Sequence, residues 1–252
     1  MNTYERQDRR FCTTCIVFLL ALFIAPSASA RLLFDFEGPY LTEPGRSLKD
    51  HAIVRSGDTW HCFYTRGLYF GGNPNDQTSL GHATSADLRT WALQPTVLPV
   101  VASSWEDVAV WAPDVLPAPD GNGWSMLYTG VTDVLLQRMG RAESIDLFDW
   151  SRPSADPVLE PDSSIYYWSP TIDYLSAFRD PFVFERDGVY HVLNTVFLRD
   201  ETLGTGYRGA IHHATSADLT NWTPLDPLAV NQNGTEGVAR EIESVQLYEA
   251  AG

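Results

Sequence analysis

The chain has 252 residues, enough for one large all-β domain, and nothing in it requires a second. Its formal charge of −15 argues against nucleic acid or an anionic membrane surface as partner and suits a neutral substrate. Three cysteines exclude a disulfide framework and a Cys-based zinc site, because Cys12 and Cys15 fall within a removable leader and Cys62 is then left alone.

That leader comes first in chain order. Arg9 and Arg10 precede an apolar run from Cys15 to Ala25, and Ala28-Ser29-Ala30 offers small residues for cleavage. The pattern predicts a secretory signal peptide over residues 1–30, hence a secreted or periplasmic protein. The run is short for a bilayer span, and no later stretch approaches spanning length, so no membrane partner is expected after cleavage. An uncleaved anchor is the alternative.

Residues 31–252 read as strands throughout, with no helical period. Asp50-His51-Ala52-Ile53-Val54, then Gly57, then Thr59–Tyr64 form the first hairpin pattern. Ser85-Ala86-Asp87-Leu88-Arg89-Thr90-Trp91 follows it. Asp114–Pro117, Gly121, Gly123 and Trp124–Tyr128 repeat the hairpin, and Ser144–Trp150 repeats the Ser-x-Asp-Leu-x-x-Trp unit. Asp180–Phe184, Gly188, Val189–Asn194 and Ser216–Trp222 do so a third time. In each copy fourteen positions separate the Asp from the end of the second run: Asp50 to Tyr64, Asp114 to Tyr128, Asp180 to Asn194.

The Ser and Asp of the second unit suit a turn held by side-chain bonds to backbone, with Leu and Trp packing inward. Two strands, then a third, a turn and a fourth make one repeat. Repetition of that unit predicts a β-propeller over a β-sandwich. The blades are expected near 48–105, 106–170 and 171–235. A fourth begins at 236–252, where Glu241–Leu247 supplies its first strand, so the propeller reads as incomplete.

Aligned in this way, the repeats place an acid at the head of each first strand: Asp50, Asp114, Asp180 and Glu243. First strands line a propeller's central channel, so these carboxylates should converge. Acids gathered in a funnel point to proton chemistry or cation binding. Acids that merely bond backbone amides at blade tops are the other reading. Glu241 rivals Glu243 from the same strand face. Cys62 reads as a buried, inert thiol.

At these residues the chain resembles the five-bladed glycoside hydrolases of family 43 and the related family 32. Trp111-Ala112-Pro113-Asp114-Val115 looks like the family 43 second-blade signature. Phe178-Arg179-Asp180-Pro181 looks like the Arg-Asp-Pro motif of both families, and Glu243-Ser244-Val245 sits where they carry a catalytic Glu. The resemblance implies hydrolysis of a furanoside or xyloside in an oligo- or polysaccharide. Asp50 would be the base, Glu243 the acid, and Asp180 the group that keeps Glu243 protonated. Asp114, Trp111, Arg179 and His51 would contact substrate.

The second-blade signature favours inversion, with base and acid roughly 6.5–9.5 Å apart. A family-32-like retaining fructosidase would use Asp50 as nucleophile at about 5–5.5 Å. No cofactor is required by either scheme. Calcium in the axial channel occurs in some family 43 members, although no metal ligand is identified here. A catalytically silent propeller that binds carbohydrate or protein is the competing class.

Overall fold

A computed structural model describes residues 40–68, 74–169, 176–203, 206–231 and 242–247, all within one compact unit, Pro39–Gly252. The leader, the Leu32–Phe36 stretch and Glu241 lie outside the described residues.

The fold is all-β. Its first sheet holds β1 (Arg46–Ser56), β2 (Thr59–Leu68), β3 (Leu80–Ser85) and β4 (Ala92–Val97) in sequence order, all antiparallel. The second holds β5 (Ala109–Pro117), β6 (Trp124–Val131) and β7 (Gln137–Ser144). The third holds β8 (Phe178–Arg186), β9 (Val189–Arg199), β10 (Tyr207–Ser216), β11 (Trp222–Pro224) and β12 (Ala229–Val230), the last two both pairing with β10. The only helical piece among the described residues is a 3-10 turn, Pro74–Asp76. These are successive propeller blades: β1 packs beside β5, and β5 beside β8, so the first strands stand side by side.

Two-residue alternation builds the core between blades. On β6, Met126 and Tyr128 face the first blade, packing with Phe63, Leu80, Val110 and Leu147. Leu127 faces the third, with Met139, Phe178, Val192, Val196 and Leu219. Each such fully buried side chain contributes about 1.5–3 kcal/mol. Tyr64 lies over Gly81 and Tyr128 over Gly140, so close that a Cβ on either glycine would meet the ring at 2.1 and 2.3 Å. Where the third blade has Asn194 in place of the tyrosine, the glycine position is His212. There, Nδ1 of His212 and Oδ1 of Asn194 lie 2.8 Å apart.

The Ser-x-Asp-Leu-x-x-Trp units are the turns that leave each third strand. Ser85, Ser144 and Ser216 end β3, β7 and β10. Asp87, Asp146 and Asp218 accept the next amides at 2.7–3.0 Å. These bonds hold the three carboxyls below the ordinary aspartate value. Leu88, Leu147 and Leu219 take positive φ of 60, 70 and 61°. The local bonds compensate for that strained backbone, and the role is structural.

Outer strands are broken where proline removes an amide donor. In the second blade Pro153 and Pro157 reduce the fourth strand to bridges, Ser151 to Glu143 and Leu159 to Met139. In the third, Pro224 and Pro227 split it into β11 and β12.

Two expectations are corrected. Ile242–Leu247 belongs to no strand. The four acids do not share one position. In the first blade Asp50 is the extra residue of a bulge beside Tyr64; in the third, Asp180 and Pro181 oppose Asn194. In the second, the residues opposing Tyr128 are Ala112 and Pro113, while Asp114 pairs with Leu127, two residues further along. The cause is the longer β5–β6 turn, residues 118–123, beside the two-residue turns 57–58 and 187–188. Counting back from Tyr128 therefore lands on the wrong residue.

Cys62 is buried and free, its thiol pushed up to about 12 by burial, in keeping with an inert role.

Candidate active site

The bulges define the site. Asp50, Ala112 and Asp180 occupy equivalent places at φ 45, 45 and 59°, and Ser244 joins them at φ 51°. Left-handed backbone costs a non-glycine residue about 1–2 kcal/mol. It persists here because neighbouring blades hold the bulges. Thr65 Oγ1 on β2 accepts the Ala112 N–H at 2.7 Å, and Thr129 Oγ1 on β6 accepts the Asp180 N–H at 3.1 Å. Each threonine thereby fixes the bulge of the blade that follows its own.

The bulge residues and those just after them surround a cavity of about 260 Å³. Asp50, His51, Ala112, Pro113, Asp114, Asp180, Pro181, Phe182 and Ser244–Gln246 line it. Of the residues expected from sequence, Asp50, Asp180, Asp114 and His51 are thus brought together. A larger cavity, about 410 Å³, opens at the opposite strand ends beside Asp120, Trp124 and Glu143, and none of the expected residues lines it.

One position before these four left-handed residues stands a second set: Lys49, Trp111, Arg179 and Glu243. None of these four lines the cavity. Arg179 Nη2 bonds Glu243 Oε1 at 2.5 Å, and its Nε stands 3.7 Å from Asp180 Oδ2. Lys49 Nζ lies 3.7 Å from Asp50 Oδ2 and 5.5 Å from the centre of the Trp111 ring. Trp111, expected to offer its face to a sugar, is half-buried under Lys49, and its indole N–H has no partner.

Asp180 is well buried, and this desolvation pushes its carboxyl up to about 6. Arg179 opposes that rise, while the charges of Asp50 and Glu243 add to it. Asp114 is pushed up to about 7 by burial, against the pull of the Val183 and Val115 amides. Its Oδ2 accepts the Val183 N–H at 2.6 Å, so this acid cross-links β5 to β8 as well as facing the cavity.

Sequence reasoning missed Lys49, Thr65, Thr129 and Gln137. Gln137 is buried at the start of β7, and its Oε1 accepts from Arg179 Nη1 and the Phe178 N–H, both at 3.2 Å, fixing the guanidinium. A signal for the threonines was present: each second run is followed by one, as Tyr64-Thr65, Tyr128-Thr129 and Asn194-Thr195. Among the described residues no group of three His, Cys, Asp or Glu side chains is placed to hold a metal ion.

The family model described as the glycosyl hydrolases family 32 N-terminal domain matches residues 50–249. The chain belongs to this family. Of the two related families that its motifs resemble, the match is therefore to family 32. The structure resembles the GH32 beta-fructofuranosidase of Bombyx mori with a TM-score of 0.54 at 21% identity, over 74% of this chain and 36% of that one. It resembles the fructofuranosidase of Schwanniomyces occidentalis complexed with fructose with a TM-score of 0.58 at 17% identity, over 81% and 38%. A family 117 glycoside hydrolase of Zobellia galactanivorans gives 0.55 at 13% identity, over 72% and 56%. At such identities the likeness is one of fold. This family 32 chain spans about a third of the length of the fructofuranosidases it matches. No curated protein matches it.

Proposed function

We propose that this family 32 chain carries the machinery of a retaining glycosidase acting on a fructofuranoside linkage. Asp50 is the nucleophile, Glu243 the general acid and base, and Asp180 the carboxylate that orients and tunes them. Family membership supports retention over the inverting, family-43-like scheme favoured by the second-blade motif. One observation carries the reading: two bulged aspartates from separate blades line one cavity, and Arg179, beside one of them, bonds the glutamate.

In this scheme a carboxylate oxygen of Asp50 bonds to the anomeric carbon as the glycosidic C–O bond breaks, and Glu243 gives its proton to the departing oxygen. Water then surrenders a proton to Glu243 and attacks the same carbon, releasing Asp50 and a product of retained configuration. Arg179 stands within reach of both Glu243 and Asp180 and so orients the two carboxylates relative to each other. Asp114 and His51 line the cavity as substrate contacts. The chemistry runs on side chains alone, without a metal. The leader expected over residues 1–30 supports a secreted or periplasmic setting, where an oligosaccharide substrate is available.

The neighbour from Schwanniomyces occidentalis is described in complex with fructosylnystose and that from Bombyx mori with sucrose, which makes these two sugars the first substrates to try. Proton NMR of the first product formed decides the mechanism. Retained β-fructose supports Asp50 as nucleophile, whereas initial α-fructose overturns it. Glu243→Gln should abolish cleavage of these natural leaving groups, and full activity would remove its acid role.

A further inference from the structure

The threonines of the second strands form a series. Thr65 on β2 holds the Ala112 amide of the next blade, and Thr129 on β6 holds the Asp180 amide of the next. Thr195 on β9 is their equivalent. Thr65 pairs with Lys49, Thr129 with Trp111 and Thr195 with Arg179, each one step before a bulge. All three are fully buried. Thr65 and Thr129 have their partner, while the Thr195 hydroxyl has none. A buried hydroxyl without a partner costs about 1–3 kcal/mol, so it marks a place where a donor belongs.

The next cavity-lining residue in chain order with a left-handed backbone is Ser244. It has the left-handed backbone of Ala112 and Asp180, and it lies against the same cavity. Glu243 precedes it as Arg179 precedes Asp180, and Arg179 and Glu243 are already in contact. We propose that Thr195 accepts the Ser244 N–H and so acts as the positioning residue for Glu243. The inference rests on the catalytic reading of Glu243 above. By this bond, the Glu243–Ser244 backbone is tied to β9. Thr195 does not touch substrate; it fixes the backbone from which the acid projects.

Residue-resolved amide exchange on the full chain tests the bond without any variant. The Ser244 amide should exchange as slowly as those of Ala112 and Asp180, and free exchange there overturns the proposal. In Thr195→Val the Ser244 amide should exchange at least tenfold faster, with Ala112 and Asp180 unchanged, and Thr195→Ser should restore protection. On sucrose, Thr195→Val should lower kcat about tenfold or more with KM little altered, again rescued by Ser. An unchanged Ser244 amide or an unchanged kcat in the Val variant refutes the positioning role. Glu243→Gln serves as the control. If it stays active while the Ser244 amide still answers to Thr195, the catalytic reading has failed and the hydrogen bond stands.

Discussion

Replacing Asp180 with Asn should make the protein more stable at neutral pH and nearly inactive. The carboxyl is 11% exposed and rises from an ordinary 3.8 to about 6. Such a rise corresponds to about 3 kcal/mol. Its sign follows from proton binding. Between pH 3.8 and about 6 the folded protein holds a proton that the unfolded chain has lost, so stability falls as pH rises through that window. Above it the full cost of a buried charge remains.

Asn cannot ionise and escapes that cost. The opposing pull of Arg179 at 3.7 Å is already contained in that rise, so the Asn variant should gain about 3 kcal/mol relative to wild type between low pH and pH 7, with little of it present near pH 4. Urea unfolding of both proteins at pH 4, 5, 6 and 7 measures this directly. A difference that does not change with pH, or an Asn variant weaker at pH 7, refutes the reasoning. Under the proposed function, sucrose hydrolysis should meanwhile drop about a hundredfold or more, since the charge assigned to tuning the nucleophile and the acid is gone.

Gly140→Ala would bring a methyl within 2.3 Å of the Tyr128 ring and should lower stability by about 1–3 kcal/mol in thermal unfolding. Asp114→Asn keeps an oxygen for the Val183 amide and should be at least as stable as wild type at pH 8. Asp114→Ala should lose about 1–3 kcal/mol by the same measurement, because that amide is left without its acceptor. N-terminal sequencing of exported protein should begin at Arg31, and a product that retains Met1 would refute cleavage of the leader.

The fold was legible because the same turn chemistry recurs. Asp87, Asp146 and Asp218 make the same amide bonds, and a pattern repeated three times is readable as a string. Asp50 and Asp180 were legible for a related reason: both precede two-residue turns, so equal spacing along the chain means equal height on the axis. Asp114 was not, because extra residues at 118–123 shift the count while leaving the strand register intact. Glu243 was expected to head the fourth first strand, but it stands beside the cavity, bonded to Arg179, and does not line it. Only backbone geometry reveals that Ser244, not Glu243, takes the left-handed turn. Trp111 was read as a substrate contact from the resemblance of its second-blade motif, and a stacked lysine from another blade leaves no trace in local sequence. The threonines were visible as a column of the repeat, but their importance comes from a hydrogen bond to a neighbouring blade.

Ala112 has a consequence of its own. It takes the same contorted backbone as the two aspartates, gripped by the same kind of hydroxyl, yet carries nothing reactive. The pedestal therefore exists independently of the group mounted on it. A carboxyl, amide or imidazole could be exchanged at these seats by a single codon change while the main chain beneath stayed put, which makes the ring of bulges a natural place for such propellers to acquire or discard a chemistry.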